Sequence, residues 1–436
     1  MRDNALRGVT RSTRALPTVA KPPRRAHLKR MERYDVIILG GGLVGLTLAT
    51  ALDAHGLTAA VVDPADPAAT LAAGFDGRAS AVASASWRML EAIGIGDRLA
   101  GLGCPIRSIE VSEGIAPGGL SFEPDAADGP LGIMFENRVL RAALHAAAAD
   151  APRVTLHMQS RAEEVLRDAA GVRVRLSEGK WIAAPLLIGA EGRASPTRES
   201  SGIRVARWRY DHVAMIASVS HALPHGNVAH EIFYPAGPFA ILPMLNDAEG
   251  RHRSAIVWTV NAADAPATLA LPERAFAAEA EKRCGGRLGA MAMAGPRSSY
   301  PLGFHHAAKI TAERLALVGD AAHGIHPIAG QGLNLGFRDV AALTQVLVEG
   351  ARLGLDLGDA QLLARYERWR GLDTFLVAAA TDGLTRLFGV RGRTASAVRR
   401  FGLGAVQRIA PLRQRFMAEA RGETGTLPRL LEGLTV

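Results

Sequence analysis

Tyr34-Asp35-Val36-Ile37-Ile38-Leu39-Gly40-Gly41-Gly42-Leu43-Val44-Gly45 decides the fold of this 436-residue chain. The apolar run from Tyr34 to Leu39 reads as a short buried strand, and the pattern from Leu43 to His55 reads as a helix that Gly56 stops. A second apolar run, Ala59 to Val62, ends at Asp63 and completes a strand–helix–strand unit. The glycines match G-x-G-x-x-G in the context that gives this pattern meaning. Gly40 permits a tight turn, Gly42 lets backbone approach a pyrophosphate, and Gly45 lets the helix pack close to the strand. The helix N-terminus offers free N–H groups to phosphate, and Asp63, at the end of the second strand, can accept hydrogen bonds from a ribose. Dinucleotide binding is the reading, with a glycine-rich packing turn as its alternative.

Further along, residues 85–103 read as a helix, 106–123 and 131–135 as strands, and 138–149 as a helix. Strands follow at 163–167, 172–177 and Leu186–Ile188. Residues 211–260 alternate apolar and polar side chains, which predicts a largely antiparallel sheet, and a helix is expected over 272–283. The strand Leu315–Val318 feeds a loop and then a long helix from Leu333 to Leu353, and beyond Asp359 the pattern is helical almost to the end. The two kinds of sheet alternate along the sequence, so the domains are expected to be discontinuous.

A second junction is Arg314-Leu315-Ala316-Leu317-Val318-Gly319-Asp320-Ala321-Ala322-His323, followed by His326-Pro327-Ile328-Ala329-Gly330-Gln331-Gly332-Leu333-Asn334. Gly319 lets the chain turn sharply, and Asp320 can hold a polyol hydroxyl. The loop then delivers a helix N-terminus near residues 332–334, whose positive end suits a developing negative charge. An ordinary helix cap at Asp320 and a flexible loop at Gly330 and Gly332 stay open as alternatives.

Composition excludes other classes. The net charge of +9 is concentrated at the ends: residues 1–30 carry nine Lys/Arg against Asp3, and residues 386–421 carry nine Arg against Glu419. The body is mildly acidic, and without a basic face or a binding motif on it no nucleic-acid partner is expected. No stretch approaches the ~18–20 apolar residues of a spanning helix. Cys104 and Cys284 fit neither a disulfide framework nor metal spacing, so a reducing, cytoplasmic setting and no metal are expected. No Gly-x-Ser-x-Gly elbow supports serine hydrolysis. Residues 1–30 read as a disordered basic tail, or as a start set too early before a natural start at Met31, although their Arg-rich, acid-poor composition is also that of a transit peptide.

The run Gly319-Asp320-Ala321-Ala322-His323 with His326-Pro327-Ile328-Ala329-Gly330-Gln331-Gly332-Leu333-Asn334-Leu335-Gly336-Phe337-Arg338-Asp339-Val340 resembles the ubiquinone-biosynthesis hydroxylases of the class A flavoprotein monooxygenases. Supporting landmarks are Phe75-Asp76-Gly77-Arg78-Ala79, Glu136-Asn137-Arg138-Val139-Leu140, Gly237-Pro238-Phe239-Ala240-Ile241-Leu242-Pro243 and Tyr366-Glu367-Arg368-Trp369-Arg370. The resemblance implies a mixed α/β fold: a Rossmann-like, glutathione-reductase-type FAD-binding domain, an interleaved, mostly antiparallel substrate domain and a C-terminal helical region. It implies FAD held by Gly40, Gly42, Gly45, Asp63 and Asp320, with the backbone of Gly332, Leu333 and Asn334 against the isoalloxazine and Arg78 and Asn137 beside it. For Arg78 a surface salt bridge, and for Asn137 a helix cap, remain the alternatives.

The implied reaction is hydroxylation of the aromatic ring of a polyprenylated phenol or quinone precursor, using NAD(P)H and O2 through a flavin hydroperoxide. His326 is read as ordering its loop, and no catalytic base is assigned. In the broader family the turn at Gly189-Ala190-Glu191-Gly192-Arg193 usually reads Asp-Gly, so Glu191 puts its hydrogen-bond geometry in question. Rival readings are hydroxylation of a soluble phenol or polyketide, and a non-catalytic FAD-binding scaffold among quinone-synthesis proteins.

The expected division assigns 31–105, 136–202 and 301–350 to the FAD domain, 106–135 and 203–300 to the substrate domain, and 351–436 to C-terminal helices. Arginines mixed with Leu387, Phe388, Val398, Phe401, Val406 and Ile409 suit peripheral docking on anionic lipid at the inner face of a membrane. A solvated helix face or a subunit contact is the alternative.

Overall fold

In the computed structural model, residues 31–72, 74–115, 119–125, 128–324, 331–371 and 410–436 are described. A six-stranded sheet forms around Val36–Leu39, whose four residues are all buried. Ala59–Asp63 and Leu186–Gly189 flank it in parallel, with Val154–Met158 beyond the first and Leu315–Leu317 beyond the second. Parallel strands covered on both faces need unbroken apolar runs, which is what Val36–Leu39, Ala59–Val62 and Leu186–Ile188 supply. The helices Leu43–Ala54, Asn137–Asp150 and Gln331–Arg352 pack with this sheet into one core. All three strand–helix junctions that matter below leave the C-terminal ends of these strands, the edge where open α/β sheets bind ligands.

The second layer is a large, mostly antiparallel sheet. Its strands run in the order His323–Gly324, Ser298–Ala307, Val205–His221, His252–Asn261, Gly237–Met244, Val228–Tyr234, Ser108–Glu113 and Leu120–Phe122. Ile232, Phe239, Ile241, Ile256 and Trp258 turn to one face and pack on Phe276, Ala280 and Cys284 of the helix Glu273–Cys284. A small sheet of Ala79–Ala83, Gly132–Glu136 and Cys104–Ile106 joins the two layers.

Three expectations need correction. The helix foreseen over 85–103 is broken: Ser84–Ala92 ends before Gly94, whose φ of +77° suits glycine, and a short turn follows at Gly96–Leu99. The strand foreseen over 106–123 is divided into Ser108–Glu113 and Leu120–Phe122. Helix does not continue to the end of the chain either. Residues 360–371 and Ala410–Ala420 are helical, but 421–436 hold only the 3-10 turn Arg429–Glu432, because Gly422, Gly425 and Gly433 take positive φ.

That tail folds back on the parallel-sheet layer. Leu430 and Leu431 are buried in its core, and Arg338 of the long helix donates to the carbonyls of Gly422 and Thr424. Leu387, Phe388, Val398, Phe401, Val406 and Ile409 lie outside the described residues, as do 1–30 and the loop residues His326 to Gly330. Among the described residues no helix is long and apolar enough to cross a membrane.

Candidate functional site

The first junction separates two kinds of glycine. Gly40 takes φ +110°, and a Cβ there would lie 2.4 Å from the Ala190 carbonyl oxygen. At Gly45 a Cβ would lie 1.9 Å from the oxygen of Gly40. Backbone crowding alone demands glycine at both. Gly42 is different: its φ is −76°, open to any residue, and a Cβ would meet nothing within 4 Å. Gly332, in the first turn of the long helix, likewise faces open space, although glycine inside a helix costs up to about 1 kcal/mol against alanine. Among the described residues nothing gives an internal reason for either missing side chain. Both line a single cavity, and a group bound against the backbone at those points explains them.

The two oxygens of Asp63 brace the glycine loop. Oδ2 accepts from the Gly41 N–H at 2.6 Å and Oδ1 from the Ala65 N–H at 2.7 Å.

The second junction is held by a buried charge cluster. Gly319 turns at φ +59°, and its N–H donates to Asp339 Oδ2 at 2.8 Å. Asp339 is fully buried; His323 Nε2 lies 2.7 Å from Oδ2, and Arg370 Nε donates to Oδ1 at 2.7 Å. Burial opposes the ionisation of Asp339 most strongly, but His323 and Arg370 outweigh it and hold the carboxyl below its usual range. The Asp320 carbonyl accepts from His305 Nε2 at 2.7 Å, which leaves the Asp320 carboxylate facing Arg193 at 3.4 Å.

A third turn, after Leu186–Gly189, locks onto the second. Arg198 is fully buried and donates to the carbonyls of Ala321 and Arg193 at 2.9 and 2.8 Å. Glu191 uses its extra methylene to reach forward: Oε2 accepts from Ser195 Oγ at 2.7 Å and from the Thr197 N–H at 3.1 Å. The departure from Asp therefore caps the following turn.

Between the layers lies a cavity of about 500 Å³. Of the residues singled out in the sequence, Gly42, Arg78, Asn137, Asp320, Gly332 and Leu333 line it together. Gly40 and Gly45 are packed behind it, and Asp63 braces the loop. Asn334 is committed elsewhere: its side chain accepts from the Ala83 N–H and donates to the Ala81 carbonyl, both at 2.9 Å, stitching the long helix to the strand Ala79–Ala83. Arg78 carries the salt bridge foreseen as its alternative, to Asp76 at 2.7 Å, and still borders the cavity. Asn137 begins its helix and accepts from Ser80 Oγ at 2.7 Å. The opposite wall comes from the large sheet and is apolar, with Ile216, Ala240, Leu242 and Val257 among its residues. An open backbone cradle, a helix N-terminus and a neighbouring apolar chamber fit a flavin dinucleotide with a ring-shaped substrate beside it.

Comparison with known proteins agrees. The family model described as an FAD binding domain matches residues 33–372. A ubiquinone hydroxylase, UbiL, from Rhodospirillum rubrum is 46% identical over 92% of this chain and 93% of its own length. The 3-demethoxyubiquinol 3-hydroxylase of Escherichia coli is 34% identical over 89% of this chain and 98% of its own. The chain belongs to the ubiquinone-biosynthesis family of FAD-dependent monooxygenases. Among solved structures, Pseudomonas aeruginosa PqsL in complex with 2-aminobenzoylacetate superposes with a TM-score of 0.72 at 23% identity, covering 84% of this chain and 100% of that one. The p-nitrophenol 4-monooxygenase PnpA of Pseudomonas putida gives 0.73 at 17%, covering 91% and 100%. These last two speak for the fold.

For an FAD-dependent monooxygenase the two walls have separate tasks. One wall offers backbone and fixed charge, as a dinucleotide cofactor requires; the other is apolar, as the exclusion of water from an oxidised ring requires. Sequence reasoning missed three contributors: the buried cation Arg198, the Asp339–His323–Arg370 cluster and Glu231, which lines the apolar wall. Asp339 and His323 stood inside the quoted motif, and an acid within an apolar helix pattern was the available signal. Glu231 gave none, since its alternation on a strand reads as a solvated face.

Proposed function

We propose that this monooxygenase hydroxylates the aromatic ring of a polyprenylated phenol or quinone precursor of ubiquinone, with NAD(P)H as reductant and O2 as oxidant. The observation that carries the reading is the two-walled cavity: open glycines and a helix N-terminus on one side, apolar sheet on the other. The names of the relatives supply the substrate class. Residues 31–105, 136–202 and 301–350 would hold the cofactor, and 106–135 with 203–300 the ring.

FAD, when bound, supplies the redox chemistry that takes electrons from NAD(P)H and activates O2. This chain would hold it with the backbone at Gly40, Gly42 and Gly45 and with Asp63 and Asp320. Gly332, Leu333 and the rigidly held Asn334 would place the positive end of the helix Gln331–Arg352 against the ring system, and Arg78 and Asn137 would border it. The apolar strands shield the substrate ring from water.

Peripheral attachment to a membrane belongs to the same proposal, because a polyprenylated phenol partitions into lipid. The described part of the basic C-terminal segment contributes less than its sequence promises: Arg421 pairs with Asp128 at 2.8 Å, and Phe416 packs beside Phe122.

The test is removal of the gene from its native host, with lipid extraction and mass spectrometry. The expected result is accumulation of a quinone precursor lacking one ring hydroxyl or methoxyl, reversed by restoring the gene. An unchanged quinone profile would overturn the reading.

A further inference from the structure

The apolar wall is built by strand register. Glu231 pairs with Ala240, Ala240 with Val257, and Val257 with Ile216, which gives one row across four strands. All four residues line the cavity. On its other side Glu231 pairs with Val111 of the strand Ser108–Glu113. Its neighbours Ile232 and Phe233 are buried, Ile232 against the helix Glu273–Cys284 on the opposite face. A carboxylate thus sits in a row otherwise made of hydrocarbon. Among the described residues none forms a salt bridge with it. A half-buried carboxylate facing hydrocarbon without a charged partner is costly, and such groups concentrate where a ligand supplies the partner.

Resting on the reading that a phenol occupies this cavity, the geometry points to Glu231 as the residue that accepts a hydrogen bond from the phenolic hydroxyl and takes its proton as the ring is oxidised. In that step the phenol O–H bond breaks and a carboxyl O–H bond forms. The electron pair stays on the phenolic oxygen, from which it raises electron density in the ring that receives oxygen. O2 and NAD(P)H remain the oxidant and reductant of the overall reaction. The proton returns to water after product leaves.

Burial pushes the Glu231 pKa up to about 7, which suits a group that must both hold and release a proton near neutrality. Part of the residue's surface stays open, and the open side belongs to the cavity. The other ionisable groups facing this space are Arg78, paired with Asp76, Arg193, close to Asp320, and the phenol of Tyr300. None of the described histidines lines it. A hydroxyl bound to ionised Glu231 makes a charge-assisted hydrogen bond, so phenol binding should draw the carboxyl into its ionised form.

The test uses FAD-loaded full-length protein without NAD(P)H, with 2-geranylphenol and its methyl ether as probes. Calorimetry in buffers of different ionisation enthalpy reads the proton released on binding. Wild type should release a fraction of a proton with the phenol near pH 6.5 and none with the ether, and the phenol should bind roughly tenfold tighter at pH 8 than at pH 6. Glu231→Gln should keep its flavin, bind both probes independently of pH, release no proton and, in a separate assay supplied with NAD(P)H and O2, turn over the phenol about a hundredfold more slowly with KM changed far less. Glu231→Leu, which keeps the wall apolar, should behave alike. Proton release that persists in both variants, or is absent in wild type despite tight phenol binding, overturns the role of Glu231. Yellow wild-type protein that binds neither probe overturns the phenol reading itself, and this role with it.

Discussion

The two walls of the cavity are built on opposite principles. The cofactor wall is shaped by backbone: Gly42 and Gly332 present no side chain, and Gly40 and Gly45 let strand and helix meet behind them. The substrate wall is shaped by side chains, with Ile216, Ala240 and Val257 in one cross-strand row. A backbone wall tolerates almost no change where chain touches chain, since nothing there can rotate away. A side-chain wall can be repacked, and its sensitivity lies in its one charge.

The sharpest way to break this contrast is to add one methyl group at two glycines of the same loop. Gly45→Ala places a Cβ 1.9 Å from a carbonyl oxygen and should cost more than about 3 kcal/mol, seen as colourless, poorly folded protein in thermal unfolding. Gly42→Ala meets nothing within 4 Å and should leave the apoprotein's stability within about 1 kcal/mol of wild type while weakening FAD binding at least tenfold by fluorescence titration. Equal loss of stability in both would mean that Gly42 is a packing glycine.

A smaller but still large effect is expected behind the cofactor wall. Asp339→Asn removes the charge that His323 and Arg370 share in the core. Breaking such a cluster on one side costs about 3–5 kcal/mol. Because Asp339 Oδ2 also holds the Gly319 N–H, FAD affinity should fall along with the unfolding midpoint. A variant that unfolds as wild type does in urea would show that the cluster contributes nothing net.

The same contrast explains what was legible beforehand. The backbone wall announces itself because its constraints are local: glycines at fixed spacing, a strand before and a helix after. The parallel strands were readable for a related reason, since burial on both faces leaves uninterrupted apolar runs such as Val36–Leu39. Glu231 was invisible because its neighbours Ala240, Val257 and Ile216 reach it only through register. The anchoring of the Asn334 side chain was not legible, since its partners, Ala81 and Ala83, lie some 250 residues earlier. The tail was misread as helix because the folding back depends on contacts with Arg338 and Gln345 that local pattern does not encode.

The smallest effect is the one that isolates the charge in the substrate wall. Glu231 has a folded pKa raised to about 7, while an unfolded glutamate titrates near 4.3. Between those values the folded chain binds the proton more tightly than the unfolded chain does, so the cost of ionising Glu231 grows as pH rises through that window and is full above about pH 7. Apoprotein carrying Glu231→Gln should therefore match wild type near pH 4.5 and exceed it at pH 8, by well under the unscreened limit of about 3.7 kcal/mol because cavity water screens the charge. Urea unfolding of apo wild type and variant at the two pH values measures the difference. If the gap stays constant from pH 4.5 to pH 8, the carboxyl is solvated like any surface group, and the substrate wall is a side-chain surface without a charge of consequence.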